Sequence, residues 1–314
     1  MMKESLINDE LFRRAFLVAL IIGTLCRGFV LRITNKQYPT RPLDYIEQII
    51  VAGLSASLGA IALPALIDKE FSALTFFAVG IQQFQGLAQQ ERITLENLDD
   101  DEMVKKGGSY VEEIASTYET RSYISLFSAL AASSAYIFIA RRYGASHLLC
   151  TIAAIIAGMI VAFIFRVALR RNSVGDIADV VPAELHFEGS QLFVNNVHII
   201  DIGLKSTRDR YIKKGMAIEI IPKTVSDFGI INDLGQRQAI LHNIYINMGI
   251  DKDIDEVDIL AISRANMDKM TVVIPFIPIL QDMDVLKQVI KSTPIIETAK
   301  GKQSAYKKKP MLFK

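Results

Sequence analysis

Three long stretches of this chain contain no charged residue, and they restrict its fold more than any other feature. They cover residues 48–67, 122–140 and 143–165, and apolar side chains dominate each of them. A helix of roughly 20 residues crosses the about 30 Å of hydrocarbon in a bilayer. Because 51% of the chain is hydrophobic, its composition favours the same interpretation. We therefore predict that all three stretches are transmembrane helices.

A fourth apolar stretch, residues 15–31, is interrupted by Arg27. A charge at the centre of a membrane helix costs about 2.5 to 3.5 kcal/mol on insertion scales, but a long side chain near the helix end can reach the headgroups. We expect Arg27 to snorkel in this way, and we count the stretch as a fourth span. Cys26 and Cys150 both fall within spans and are interpreted as packing residues, not as a disulfide or a metal pair.

Residues 71–90 are also uncharged, but five of them are glutamines. Amide groups are costly in lipid unless they find partners. We therefore predict a helix that lies in the membrane interface and emerges into water, instead of a fifth crossing. With four spans, both termini lie on the side richer in Lys and Arg, which the positive-inside rule makes cytoplasmic. A fifth crossing would invert this topology.

The composition changes abruptly after Arg170 and Arg171, and this change divides the chain. The predicted architecture is an α-helical integral membrane bundle of about four spans plus an interfacial helix, followed by a soluble, cytoplasmic α+β domain. The membrane domain covers residues 1–171, with a long polar loop at 68–121, and the soluble domain covers 172–314. In the soluble domain we predict three short strands with turns at Gly189-Ser190 and Asn195-Asn196. Further strands are expected at 216–221 and 271–276, with a candidate at 257–262, and helices at 207–214, 234–248 and 283–291.

The polar gap before residues 122–140 has a helical pattern of its own. It reads GGSYVEEIASTYETRSY, residues 107–123, and its Tyr110, Ile114 and Tyr118 recur at the spacing of one helix face. We expect this helix to lie at the membrane surface and to run directly into the following span. The ordinary interpretation is a solvated acidic face that separates two spans. The alternative is a partner-binding surface formed by Tyr110, Glu112, Glu113 and Tyr118, since aromatic anchors ringed by charge are common at interfaces.

The segment YVEEIA, residues 110–115, resembles the signature that names the YIEGIA family, membrane proteins of endospore-forming bacteria. Other segments are similar to the family pattern in the same order, so the likeness covers nearly the whole chain: Glu70-Phe71, Thr75-Phe76, Gln82-Gln83-Phe84, Glu91-Arg92, Glu119 to Arg121, GDIADVVPAELHFEG and LGQRQAILHN. The chain departs from the signature at Val111 and Glu113, where the family has Ile and Gly. A glutamate in place of that glycine suggests a position that faces water. The resemblance implies a sporulation-linked integral membrane protein with small capping partner proteins and regulated proteolysis.

Three aspartates, Asp176, Asp179 and Asp201, are the candidates for catalysis. Asp176 and Asp179 are three residues apart and would share a face if their segment is helical, where paired carboxylates can share a proton. Asp201 lies in IIDIG, which is similar to the apolar-Asp-x-Gly turn of aspartic proteases, except that Ile202 stands where Thr or Ser is expected. Turn and capping aspartates are the ordinary interpretation of all three residues.

Neither the histidines nor any sequence motif indicates a metal-binding or cofactor-binding site. His242 in LGQRQAILHN is a candidate ligand or base, although a surface or hydrogen-bonded histidine is the ordinary interpretation. His186 and His198 alternate within predicted strands, so that one of them could face the same side as Glu184 or Glu188. The sequence contains no HExxH motif, no paired-cysteine motif, no G-x-S-x-G elbow and no glycine loop for phosphate. A net charge of +1 gives no electrostatic case for nucleic acid.

Two functional hypotheses of different classes follow. The first is a membrane-anchored, regulated protease that is controlled by a small capping partner, with the three aspartates as catalytic residues. The second is a non-enzymatic membrane scaffold that docks a small partner protein during spore formation. A transporter or channel is less consistent with spans that carry so few polar groups.

Overall fold

The computed structural model describes residues 10–34, 42–67, 71–100, 105–168, 172–252, 259 and 262–300. The chain forms two compact units. The helical unit comprises Met1–Ile93 and Ile114–Arg170, and the mixed unit comprises Thr94–Glu113 and Arg171–Lys314. One division lies between Arg170 and Arg171, and the sequence analysis placed its domain boundary after residue 171. Residues 94–113, which the sequence analysis assigned to the membrane domain, belong instead to the mixed unit.

Five long helices occupy the first half of the chain. They are α1 (Glu10–Thr34), α2 (Pro42–Ile67), α3 (Phe71–Asp100), α4 (Gly108–Tyr143) and α5 (His147–Ala168). The stretch predicted as a long polar loop, residues 68–121, is therefore mostly helix, because α3 and the start of α4 occupy it. As predicted, the helix that begins in the polar gap continues without a break into residues 122–140.

Small residues form the interior of the helical unit. A Cβ atom added at Gly23 would lie 2.8 Å from the Cβ atoms of both Ala129 and Ala56, and one added at Gly158 would lie 2.5 Å from Ile22. Many large apolar side chains point outward, although Ile124, Leu126 and Tyr136 are buried. The exposed group comes from four helices: Leu17, Ile21 and Leu25 of α1; Ile49, Ile50 and Leu54 of α2; Phe127 and Phe138 of α4; and Leu148, Ile156, Ile160 and Phe163 of α5. Close contact through small residues, with bulky apolar groups outside, is typical of helices that pack in lipid.

Two segments of the described chain are long and apolar enough to cross a membrane. They are Ser122–Tyr143 in α4 and His147–Ala168 in α5, and Ile49–Pro64 in α2 is apolar but shorter. Two of the four predicted spans therefore meet this criterion of length and composition. The predicted spans at 15–31 and 48–67 are helical but do not meet it.

The helices of this unit alternate in direction along the chain. Ser133 of α4 donates a hydrogen bond to Ala60 O at 2.9 Å, and the later residues Leu63 and Ile67 of α2 lie beside Arg141 and Arg142. Helices α2 and α4 therefore run in the same direction. Because α3 connects them in sequence and packs against α2 at Gly80 and Leu58, it must return along the unit. Helix α3 is not among the described segments that meet the criterion of length and composition for a membrane span, and the interfacial position predicted for residues 71–90 stays a prediction.

The side chain of Arg27 is buried inside the helical unit, with only 1% of its surface exposed. The sequence analysis predicted that it snorkels to the headgroups. That expectation was wrong because α1 continues to Thr34, so Arg27 is not at the helix end. Cys26 and Cys150 are buried free thiols, as predicted, and Cys26 donates a hydrogen bond to Gly158 O across the unit.

The mixed unit contains two antiparallel sheets and several helices. Its elements in chain order are α6 (Val174–Ile177), β1 (Ala178–Pro182), β2 (Leu185–Glu188), β3 (Gln191–Val194), β4 (Val197–Asp201), α7 (Lys205–Lys214), β5 (Met216–Pro222), α8 (Val225–Ile231), α9 (Leu234–Met248), β6 (Arg264–Asn266), β7 (Thr271–Phe276), α10 (Met283–Lys291) and α11 (Glu297–Lys300). One sheet has the order β1-β5-β7-β6, and the other is the meander β2-β3-β4. Its two turns fall where predicted, at residues with positive φ, Gly189 and Asn195.

The four-stranded sheet is covered on both faces. Ile218, Ile220 and Ile274 belong to a core with α8, α9 and α10, whereas Ala217 and Val273 belong to a second core with the meander and Tyr211. The sequence of a strand that is buried on both faces is a continuous run of apolar residues. This explains why every residue of β7 is buried and why TVVIPF was recognisable from the sequence.

The sequence analysis predicted most, but not all, of these elements. The bounds of α9 and α10 are as predicted, and α7 begins two residues earlier than expected. Strands β1 and β6 and the helix α8 were missed. Most of the candidate strand at 257–262 lies outside the described residues.

Candidate functional site

The candidate site is built around residues 107–113, which we call the signature segment. Gly107 has a φ of +86°, which starts the helix, and its carbonyl accepts hydrogen bonds from Tyr110 N and Val111 N at 3.0 and 3.2 Å. Gly107 therefore forms a turn directly before α4. A non-glycine residue would be strained at this φ, and its Cβ atom would lie 3.0 Å from Leu234 Cγ.

The signature segment packs against the start of α9. Ser109 Oγ donates a hydrogen bond to Asp233 Oδ2 at 3.2 Å, and Asp233 Oδ1 accepts from Gly235 N and Gln236 N as the N-cap of α9. A Cβ atom added at Gly235 would lie 2.5 Å from Tyr110 N, so only glycine allows this close approach. The two segments that carry the family resemblance, YVEEIA and LGQRQAILHN, therefore meet in the fold.

Residues 293–300, which we call the C-terminal segment, bind the signature segment from another side. Thr298 Oγ1 donates to Ser109 O at 2.6 Å, and Glu297 N donates to Glu113 Oε2 at 3.1 Å. The C-terminal segment is itself held by Gln236, whose Nε2 donates to Pro294 O at 3.2 Å and whose Oε1 accepts from Ile296 N at 2.7 Å. Gln236 thus uses both ends of its amide in the interior.

A second buried amide, Asn243, extends this network along α9. Its Nδ2 donates to Val289 O at 2.8 Å and to Thr293 Oγ1 at 2.9 Å. The side chains of Ser109, Glu113, Gln236, Asn243 and Thr293 are all buried. Because buried polar groups are costly unless they are hydrogen-bonded, such a network fixes the segments it joins.

Tyr110 fills the apolar part of the site. Its side chain is 4% exposed, and its ring lies 6.2 Å from the ring of His242, measured between centroids. Burial raises the pKa of the Tyr110 phenol well above its ordinary value. His242, predicted as a candidate ligand or base, is thus a partly buried neighbour of the signature tyrosine.

Two residues of the predicted partner-binding surface are not exposed. Tyr110 and Glu113 are buried within the mixed unit, and Glu112 is half-buried. The water-facing position predicted for Glu113 was wrong because the C-terminal segment covers it and supplies a backbone donor. The side chain of Tyr118 lies outside the described residues.

The three candidate catalytic aspartates have separate surroundings. Asp176 lies in α6, and its Oδ2 accepts from the N–H and the hydroxyl of Ser173 at 2.7 and 3.0 Å. Asp179 is an exposed residue of β1, so the shared helix face expected for this pair does not form. Asp201 ends β4 in the other sheet, with its Oδ1 3.0 Å from His198 Nε2. His186 lies 3.9 Å from Glu188, on the same side as expected.

Among the residues that the structure describes, no group of three or more His, Cys, Asp or Glu side chains is placed to hold a metal ion. The buried network was not recognised from the sequence. One signal was present, because Gln236 and Asn243 are seven residues apart and therefore lie on the same face of α9. Polar residues at this spacing among apolar ones indicate an interior hydrogen-bond network.

Comparison with known proteins identifies the family. The YIEGIA family, described as "YIEGIA protein", matches residues 15–306. The chain is 32% identical over 284 residues to a protein of Bacillus subtilis (strain 168) named "Uncharacterized protein YphB", and the alignment covers 90% of this chain and 92% of that protein. No solved structure matches the chain. From the family match over most of its length, together with this relative, we conclude that the chain belongs to the YIEGIA family.

Proposed function

We propose that this chain is a non-enzymatic membrane scaffold that docks a small partner protein during endospore formation. The observation that carries the proposal is an exposed apolar patch on the mixed unit, formed by Tyr245, Ile246, Ile279 and Leu280. The signature segment is not this docking surface. Its Ser109 and Glu113 are buried and bonded to the mixed unit's own residues, so they support the fold. The sporulation part of the proposal is supported by the relative in Bacillus subtilis, an endospore-forming bacterium.

The anchor of the scaffold is the helical unit, inserted in the bacterial inner membrane or the forespore membrane. The outward apolar side chains and the small interior residues favour insertion of all of its helices. Because α2 and α4 run in the same direction, we propose five crossings with α3 included, in place of four.

Five crossings put the amino terminus and the mixed unit on opposite sides. Basic residues near the helix ends would then divide into two groups: Lys3, Arg13, Arg14, Lys69, Arg141 and Arg142 on one side, and Arg32, Lys36, Arg41, Arg92, Lys105, Lys106, Arg121, Arg166, Arg170 and Arg171 on the other. The second group is larger and lies on the side of the mixed unit. The positive-inside rule therefore favours a cytoplasmic mixed unit and an external amino terminus.

An exposed apolar patch on the mixed unit is the proposed docking surface. It consists of Tyr245 and Ile246 at the end of α9 and of Ile279 and Leu280 in the loop after β7, and Ile279 is 70% exposed. The two parts are adjacent because Leu280 N donates to Met248 O at 3.1 Å. Exposed apolar patches of this kind are typical of protein–protein contacts. A small partner with an apolar face fits this surface.

The test compares three full-length, tagged proteins purified in mild detergent from sporulating cells. We expect the wild type to retain a small protein in stoichiometric amount, and Ile279→Asp to lose it, because a carboxylate in the patch would be desolvated on binding. Leu204→Asp is the matched control, since Leu204 is an exposed apolar residue before α7 and outside the patch. A wild type without any partner, or equal loss from both variants, would contradict the scaffold.

The second candidate is the membrane-anchored, regulated protease controlled by a small capping partner. One observation favours it: His198 and Asp201 form an imidazole–carboxylate pair at 3.0 Å, which could act in acid–base chemistry. In this case, replacing Asp176, Asp179 and Asp201 by Asn and His198 by Gln should stop the turnover of substrate proteins, followed by immunoblot. Unchanged turnover in all four variants would remove these residues from any mechanism.

A further inference from the structure

A groove on the helical unit combines an apolar wall with two positive charges. It has a volume of about 290 Å³ and lies between the end of α2 and the end of α4. Leu63 and Ile67 form one wall, Ile137 and Phe138 form the other, and Arg141 and Arg142 lie at the end of the groove. Phe138 and Ile67 are exposed, so the groove is open to the outside of the unit.

We propose that this groove binds an anionic phospholipid, with an acyl chain along the apolar wall and the headgroup phosphate at Arg141 and Arg142. The proposal rests on the membrane insertion proposed above. The ligand is defined by the two chemistries that the groove presents together, since a soluble anion would not use the apolar wall. A zwitterionic lipid also has a phosphate, but its own cation offsets the attraction to the two arginines, which therefore favour a lipid with a net negative charge. Guanidinium groups suit phosphate because their N–H groups form paired, charge-assisted hydrogen bonds.

The local electrostatics favour an anion at this place. The carbonyl ends of α2 and α4 meet there, and each contributes a partial negative charge of about one half. Two full positive charges outweigh these partial charges. The Cζ atom of Arg142 lies 5.9 Å from the centre of the Tyr143 ring, a cation–π contact that favours this position of the side chain.

The groove can be closed without changing its charge. Ser134 lines it, and its hydroxyl donates to Leu130 O within the same helix at 2.6 Å. Replacing Ser134 by Phe fills the groove and leaves both arginines in place. This separates specific binding from the general attraction of anionic lipid to a basic helix end.

The experiment uses the full-length protein in nanodiscs of phosphatidylcholine doped with phosphatidylglycerol. Lipids that remain bound after detergent exchange are quantified by native mass spectrometry for the wild type, Ser134→Phe, the double variant Arg141→Gln/Arg142→Gln, and Arg166→Gln. Arg166 is the control because it is an arginine in the last turn of α5, away from the groove.

We expect the wild type and Arg166→Gln to retain phosphatidylglycerol in preference to phosphatidylcholine. Removing the arginines should lower this retention about fivefold per charge, and Ser134→Phe should abolish it. If the Ser134→Phe protein fails to enter nanodiscs, Ser134→Met is used instead, because its smaller side chain also fills part of the groove. Full retention by an inserted plug variant, or displacement of the lipid by inorganic phosphate alone, would overturn the proposal. Failure of the wild type to enter nanodiscs would contradict membrane insertion itself, which distinguishes the two failures.

Discussion

At the scale of single residues, Glu113 illustrates how context determines the use of a charged side chain. It is 3% exposed, and its Oε2 accepts the N–H of Glu297 at the start of α11. The carboxylate therefore supplies an acceptor to a backbone donor of the C-terminal segment. A glycine at this position would provide no side-chain acceptor for that donor.

We predict that Glu113→Ala weakens the attachment of the C-terminal segment, whereas Glu113→Gln largely retains it. Alanine removes the acceptor and leaves the Glu297 N–H without this bond, at a cost of about 1 to 3 kcal/mol. Glutamine keeps a side-chain oxygen at the same reach. Hydrogen–deuterium exchange of peptides from residues 293–300 measures the difference. Equal exchange in the alanine variant and the wild type would contradict the prediction.

The buried phenol of Tyr110 should make the free energy of unfolding depend on pH at alkaline pH. Because burial raises the pKa of its phenol above the unfolded value of about 10, the folded chain holds this proton more tightly than the unfolded chain does. The stabilising contribution is complete below about pH 10 and is lost as the pH rises towards the folded-state pKa, with a limiting slope of about 1.4 kcal/mol per pH unit.

Tyr110→Phe removes this titration. Its free energy of unfolding should therefore decline less steeply than that of the wild type above about pH 10, while both proteins show the same pH dependence near pH 8. Urea unfolding at several pH values measures both slopes. Identical slopes above pH 10 would mean that the phenol is ionised as readily in the folded chain as in the unfolded one.

At the scale of secondary structure, α9 is the element on which the site is assembled. Its N-cap Asp233 accepts from Gly235 N and Gln236 N and also from Ser109 Oγ. Its Gln236 and Asn243 then bind the C-terminal segment and α10. One helix thus organises contacts with the signature segment at its start and with the chain end along its side.

We predict that Asp233→Ala destabilises the mixed unit more than Asp282→Ala does. Both residues cap a helix with two backbone bonds, and an N-cap substitution costs about 0.5 to 2 kcal/mol. Asp233 is also bonded to the buried Ser109, so its loss should cost about 1 kcal/mol more. Urea unfolding of the two variants gives the comparison. A double-mutant cycle with Ser109→Ala isolates the additional bond, and a coupling energy near zero would argue against it.

The sequence predicted α9, α10 and β7 because each has a pattern that is local in the chain. Helix α9 has an apolar periodicity after Asp233, and β7 is a continuous apolar run between turn residues. The burial of Glu113 was not predictable in this way, because its partner is Glu297, far along the chain. Short elements such as β1, β6 and α8 were missed because few residues define them. The direction of α3 within the helical unit follows from how α2 and α4 pack, so its own glutamines could not indicate it.

At the scale of the whole molecule, the proposed insertion of the helical unit makes the number of crossings the property that determines on which side of the membrane each part of the chain lies. Four crossings put the amino terminus with the mixed unit, and five put it on the opposite side. In both proposed topologies α5 crosses the membrane after the single turn at residues 144–146, so this turn and the chain that follows α5 are expected on opposite sides of the membrane. One labelling experiment can therefore distinguish the two.

We predict that single cysteines at Ser5 and Ser146 react with an impermeant maleimide in intact protoplasts, and that a cysteine at Ser206 reacts only after permeabilisation. The background carries Cys26→Ala and Cys150→Ala, which replace two buried thiols by a small residue. Ser146 and Ser206 are exposed, so that labelling reports the side of the membrane. The physical reason is the alternation of five helices, which leaves Ser5 and Ser146 on one side and the mixed unit on the cytoplasmic side, where basic residues are enriched.

If the cysteine at position 5 and the cysteine at position 206 both react only after permeabilisation, the amino terminus lies on the side of the mixed unit. This outcome would mean that α3 does not cross the membrane. Labelling of all three sites in intact protoplasts would mean that the helical unit does not separate them by a membrane.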